Sequence, residues 1–128
     1  MRKMFVIIVL LCILLTSCAQ NIECSSDVYN ELTGTFYKEW ENTITTSLTR
    51  FPGNLAPIIR DLERIKGEYE KLDIPDCYQP AHDKFLKGME YDLEGVMEFD
   101  QTGNVSDQFQ LADAEYAAAM EELKKLDE

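Results

Sequence analysis

Apolar residues recur every three or four positions through residues 27–128, and this spacing constrains the fold more than any other feature of the chain. An α-helix completes a turn in about 3.6 residues, so side chains three or four positions apart line one face and can be buried together. The same region has no alternating β-branched run of the kind that forms strands. The sequence therefore predicts an all-α protein.

Four stretches with this spacing are separated by segments rich in Pro, Gly and Asn, which predicts four helices. Asp27 is the expected cap of the first helix and Asn54 of the second. The third should begin near Pro80 and the fourth near Ser106. The expected core positions, helix by helix, are Leu32, Phe36, Trp40, Ile44 and Leu48; Ile58, Leu62, Ile65, Tyr69 and Leu72; Phe85 or Leu86, Met89, Leu93 and Val96; and Phe109, Ala112, Tyr116, Ala119, Leu123 and Leu126.

The connections between these helices are short, about six or seven residues, and short connections make sequential helices neighbours. An antiparallel up-down-up-down four-helix bundle is the expected arrangement. The alternative is a three-helix bundle with the first helix splayed away.

The N-terminal segment has the features of a secretory signal. Arg2 and Lys3 precede an apolar run at residues 4–15, and small residues follow it. A membrane-spanning helix needs about 20 apolar residues, so this run is too short to span a bilayer. We expect residues 1–17 to be a cleaved signal peptide.

The motif Leu15-Thr16-Ser17-Cys18 resembles the lipobox of bacterial lipoproteins. The resemblance implies that Cys18 becomes the lipid-modified first residue after cleavage and anchors the protein outside the cytoplasm. Because Ala19 follows, it also implies the outer membrane in a Gram-negative cell, or the outer face of the cell membrane in a Gram-positive one. The alternative is an ordinary secretory signal in which Cys18 is incidental.

The expected organisation is a signal peptide at 1–17, a lipidated tether at 18–26 and a helical bundle domain at 27–128. In the bundle domain, the motifs Pro80-Ala81-His82 and Gly88-Met89-Glu90-Tyr91 precede a terminal amphipathic helix. This pattern resembles small helical lipoproteins of unknown function found in many bacteria. It implies the same fold and location, and no catalytic residue.

Two cysteines, Cys24 and Cys77, remain once Cys12 leaves with the signal peptide and Cys18 carries lipid. An even number in an oxidising compartment favours a disulfide. It would close a loop of about 53 residues, worth roughly 4 kcal/mol. In the expected bundle the two positions lie at one end. The alternatives are unpaired thiols or a metal site, although the spacing matches no zinc pattern.

The charge balance excludes one class of partner. Cleavage after residue 17 removes Arg2 and Lys3 but none of the 24 acidic residues, so the formal charge moves from −12 to about −14. Nucleic acid should be repelled, because its binding requires basic patches. An anionic membrane surface should be repelled too, which leaves the lipid as the anchor.

No Lys or Arg occurs between Lys87 and Lys124, and Glu90, Glu94 and Glu98 recur there at four-residue spacing. Like charges at this spacing repel by about 0.2 to 0.5 kcal/mol per pair. They form a candidate acidic binding face for a basic partner or divalent cations. The alternative is a solvated face that keeps the protein soluble.

Motifs of enzymes and metal sites are absent from the sequence. The single histidine, His82, is expected in the first turn of the third helix as a surface or capping residue. We therefore expect no catalytic residue, no metal site and no cofactor beyond the lipid at Cys18. The leading function is a noncatalytic interaction or accessory module of the cell envelope with an envelope or extracellular protein partner. Alternatives are a divalent-cation or small-ligand binding protein, and a lipoprotein that protects against phage or toxin.

Overall fold

A computed structural model describes residues 23–128, and within this range the chain is helical with no β-strand. The four α-helices are α1 (Ser26–Leu48), α2 (Ala56–Glu70), α3 (Gln79–Thr102) and α4 (Gln108–Lys124). Short 3-10 helices, Asp76–Tyr78 and Lys125–Asp127, precede α3 and follow α4. The prediction of four helices is confirmed. The expected signal peptide and Cys18 lie outside the described residues.

The first helix is capped by Ser25 and not by Asp27. The Ser25 hydroxyl oxygen accepts a hydrogen bond from the Val28 amide at 3.4 Å. Asp27 lies inside the first turn, where its negative charge still interacts favourably with the helix dipole. The predicted cap was therefore two residues too late.

The start of α2 is supported from another helix, and the prediction that Asn54 caps it is wrong. Leu55 occupies the cap position and makes no side-chain capping bond. Instead, Oδ1 of Asp100, near the end of α3, accepts the Gly53 and Leu55 amides at 2.7 and 3.0 Å. One carboxylate thus ties the α1–α2 loop to the end of α3.

The predicted core positions of α2, α3 and α4 are buried or partly buried, whereas the α1 face was predicted incorrectly at its ends. Leu32 is 46% exposed and Leu48 is 40% exposed. Residues four apart drift by about 40° around a helix, so five such positions spread over about 160°. The buried residues of α1 are instead separated by combinations of four- and three-residue steps, which keep them on one face. They are Tyr29, Thr33, Trp40 and Ser47.

Two glycines allow α3 and α4 to pack closely. A Cβ atom on Gly88 would lie 2.4 Å from the Tyr116 ring, and one on Gly95 would lie 2.9 Å from the Phe109 ring. These helices form the most closely packed pair, with α1 against α2 and α2 against α3. The backbones of α1 and α4 lie farther apart than those of α3 and α4.

A disulfide joins Cys24 to Cys77, with Cα atoms 6.4 Å apart, as predicted. It ties the start of α1 to the turn before α3. The Ser26 amide also donates to Oδ1 of Asp127 at 3.0 Å, which brings the C-terminal turn to the same place. None of the helices in residues 23–128 is both long and apolar enough to cross a membrane.

Candidate ligand-binding site

A cavity of about 360 Å³ lies between α1 and α4. Its walls are mainly aromatic, and we call it the aromatic cavity. Gly34 on α1 and Met120 on α4 also line it, and both are exposed, so the cavity meets solvent between these two helices. The aromatic side chains that line it are Tyr29, Tyr37, Tyr69, Phe85 and Tyr116.

Two of the lining tyrosines, Tyr29 and Tyr69, belong to a buried network of hydrogen bonds behind this cavity. The Tyr29 and Tyr69 hydroxyls lie 2.5 Å apart, and the Tyr29 hydroxyl lies 3.1 Å from Nδ1 of His82. The His82 ring stacks on Tyr69 with centroids 4.4 Å apart. Burial raises the pKa of Tyr29 to about 12 and also raises that of Tyr69, so both stay protonated. Because the hydroxyls bond one another, the two tyrosines have their polar atoms satisfied within the protein.

His82 contradicts the sequence prediction. It was expected at the surface or as a cap, but it is 2% exposed and belongs to the network with Tyr29 and Tyr69. Burial lowers the pKa of His82, which favours the neutral ring. In the neutral form Nδ1 of His82 can accept a hydrogen bond from the Tyr29 hydroxyl. His82 therefore contacts both tyrosines behind the cavity, Tyr29 through a hydrogen bond and Tyr69 through ring stacking.

A second cavity, of about 250 Å³, adjoins the first along the α1–α4 gap. Tyr37 and Tyr116 line both cavities, and their rings meet edge to face at 5.7 Å. The second cavity also has three acidic side chains in its lining, and we call it the acidic cavity. These are Glu41, Asp92 and Asp113.

Asp92 is the most buried carboxylate of the acidic cavity. It is 7% exposed, and its Oδ2 accepts hydrogen bonds from Trp40 Nε1 at 3.0 Å and from the Tyr116 hydroxyl at 2.6 Å. Burial raises the pKa of Asp92, and the two hydrogen bonds partly oppose this. Trp40 and Tyr116 are thereby fixed around one carboxylate from a third helix.

The predicted acidic face on α3 is partly neutralised. Glu90 contacts Lys87 at 2.9 Å and Lys66 at 3.7 Å, and its hydrogen bond with Lys87 lowers the pKa of Glu90. Glu98 accepts a hydrogen bond from the Ser106 hydroxyl, while Glu94 is exposed. Among residues 23–128, no group of three or more His, Cys, Asp or Glu side chains is arranged to hold a metal ion.

Sequence reasoning missed Asp92, although the pattern contained a signal for it. Phe85, Met89, Asp92, Val96 and Phe99 alternate steps of four and three, so Asp92 lies on the buried face of α3. Burying a charge is costly, so a carboxylate on a buried helix face is expected to have hydrogen-bond partners there.

The α1–α4 gap thus contains two adjoining cavities that share Tyr37 and Tyr116. Aromatic walls with a few positioned polar groups are typical of small-molecule sites. No known protein family, curated protein or solved structure matches this chain.

Proposed function

We propose that this chain is a noncatalytic, lipid-anchored accessory module of the bacterial cell envelope that binds a small apolar ligand in the aromatic cavity. The cavity itself carries the proposal. At about 360 Å³ it falls within the range of small-molecule pockets, roughly 300 to 1,000 Å³.

The character of the walls supports an apolar ligand over a polar one. Three of the four tyrosine hydroxyls in the lining are engaged within the protein: those of Tyr29 and Tyr69 bond each other, and that of Tyr116 bonds Asp92. A polar ligand would lose its hydration and gain few bonds in return, whereas an apolar one gains by leaving water, at about 25 cal/mol per Å². Aromatic rings add favourable contacts with another ring.

The contacts at both ends of the helices support the proposed up-down-up-down order. The disulfide joins the start of α1 to the α2–α3 connection, and Asp100 joins the α1–α2 loop to the end of α3. Cys18 lies six residues before Cys24, so a lipid there anchors the disulfide end. The aromatic cavity, with Tyr29 near the start of α1, lies in the half nearer the membrane, where apolar ligands accumulate.

Gly34 offers a sharp test of the cavity. Nothing lies within 4 Å of a Cβ atom built there, and the residue lines the cavity, so Gly34→Leu should fill the site without disturbing the core. The probe is N-phenyl-naphthylamine, a neutral dye whose emission rises in apolar surroundings. We expect saturable binding to the wild type and at least tenfold weaker binding to Gly34→Leu.

The matched control is Gly67→Leu on α2, which is equally uncrowded and lies outside the cavity. It should bind the dye as the wild type does. Equal affinity of the wild type and Gly34→Leu would show that the aromatic cavity is not the binding site.

The anchor is tested separately by Cys18→Ser. Loss of the lipid should release the protein from the membrane fraction or leave the precursor unprocessed. A variant that is processed and stays membrane-bound like the wild type would rule out the lipoprotein assignment.

A further inference from the structure

The acidic cavity contains a buried negative charge that lacks a cationic partner. Asp92 is 7% exposed, and both of its hydrogen bonds are made through Oδ2, which leaves Oδ1 outside them. The ion pairs between described residues do not include it. Buried carboxylates are normally paired with a cation, because removing an isolated charge from water is very costly.

Two further carboxylates increase the negative potential at this place. Glu41 on α1 and Asp113 on α4 line the same cavity, and no Lys or Arg is in its lining. Burial raises the pKa of Tyr37, and the nearby charges of Glu41, Asp92 and Asp113 raise it further. Glu90 differs, since two lysines offset its charge.

The rest of the lining consists of four aromatic side chains, Tyr37, Trp40, Phe109 and Tyr116, together with Ile44, Thr45 and Leu48. The face of an aromatic ring carries partial negative charge and attracts a cation within about 6 Å, most strongly for Trp. A carboxylate surrounded by such rings suits a cation that also has apolar surface. Ca²⁺ and Mg²⁺ suit it poorly, because they require six or more oxygen ligands.

We propose that the acidic cavity binds the methylated ammonium group of a small organic cation, with Asp92 as the counter-charge and the partly exposed Tyr37 and Tyr116 rings as its walls. This site adjoins the aromatic cavity and shares Tyr37 and Tyr116 with it, but its binding of a cation does not require an apolar ligand there.

Trp40 is the single tryptophan of the chain, so its fluorescence reports directly on this cavity. The full chain is titrated with choline chloride, with sodium chloride at equal ionic strength and with 3,3-dimethylbutanol, the neutral isostere of choline. We expect a saturable change with choline and none with the salt or the alcohol.

Asp92→Asn should weaken choline binding at least tenfold, because it removes the counter-charge while keeping an oxygen acceptor for Trp40 and Tyr116. Asp113→Asn, at an exposed position, should weaken it two- to threefold. Glu94→Gln removes the same charge from an exposed position of α3 outside the cavity and should leave binding unchanged.

A choline response equal to that of sodium chloride would overturn the proposal. So would wild-type affinity in Asp92→Asn, or an equal loss in Asp92→Asn and Glu94→Gln. Dye binding in the aromatic cavity is measured independently, so either site can fail without the other.

Discussion

The Tyr116 hydroxyl donates a hydrogen bond to Oδ2 of Asp92 over 2.6 Å, and the Tyr116 ring lines both cavities. The ring also lies where a side chain at position 88 would be, so its position depends on Gly88 as well. This hydrogen bond between α4 and α3 and the glycine at position 88 together set the wall that the two cavities share.

Asp92→Asn should raise the midpoint of thermal unfolding at neutral pH. The folded-state pKa of Asp92 is raised above 3.8, so the folded protein holds this proton more tightly than the unfolded chain. The free energy of unfolding therefore falls as pH rises from 3.8 through the folded-state pKa, where the folded protein releases this proton. The uncharged amide of the variant avoids this loss. The advantage of the variant should disappear in acid, where Asp92 is protonated.

Asp92→Ala should behave in the opposite way. It leaves Trp40 Nε1 and the Tyr116 hydroxyl without their acceptor, which costs about 1 to 3 kcal/mol. Urea unfolding of the two variants measures both effects. Equal destabilisation by Asn and Ala would contradict the view that the charge itself is unfavourable.

Gly88→Ala should lower the free energy of unfolding by about 1 to 3 kcal/mol, because the added methyl group displaces the Tyr116 ring. The control is Gly67→Ala, whose methyl group meets nothing within 4 Å and which should gain about 0.5 to 1 kcal/mol in helix propensity. Denaturant unfolding and Trp40 emission should both change in Gly88→Ala. Unaltered stability there would mean that the two helices separate easily.

Stability should fall as pH decreases below 6.5, through His82. Burial lowers the folded-state pKa of His82, so between that pKa and 6.5 the unfolded chain binds the proton more readily. The maximum loss is about 1.4 kcal/mol per pH unit. His82→Gln should reduce the difference in unfolding free energy between about pH 7.5 and 5.5. An unchanged difference would show that His82 is not its source.

Replacing both Cys24 and Cys77 with serine should lower the free energy of unfolding by roughly 4 kcal/mol, the loop-closure value for a 53-residue separation. The comparison is made by urea unfolding of the oxidised protein and the double variant. In the native oxidised protein neither cysteine should react with a thiol reagent. Two reactive thiols would show that the disulfide does not form.

Local patterns predicted much of this fold. On α2, Leu62, Ile65 and Tyr69 are buried as predicted. Residues separated alternately by three and four positions stay on one face of a helix, because these steps average close to one turn. The Gly103 stop after α3 was equally predictable, since this glycine adopts the positive φ that ends a helix, at 74°. The disulfide followed from counting cysteines and from the order of short-linked helices.

Other features were not predictable from local patterns. The sequence shows that Gly34 lies on α1 and His82 on α3. It does not show which neighbouring helix each of these residues faces. A histidine beside Asp83 in a first helical turn is usually solvated, and it is buried here because two tyrosines from α1 and α2 enclose it.

The amino-acid order by itself determined four amphipathic helices and their approximate ends, and it favoured the pairing of Cys24 with Cys77, because these depend on periodicity, turn residues and cysteine number. Tertiary structure alone decided that α3 and α4 pack closely through Gly88 and Gly95 while α1 and α4 do not. The two cavities result from that difference. Cavities arise where the side chains of separate helices fail to fill the space between them, and that volume depends on the packing of the whole bundle.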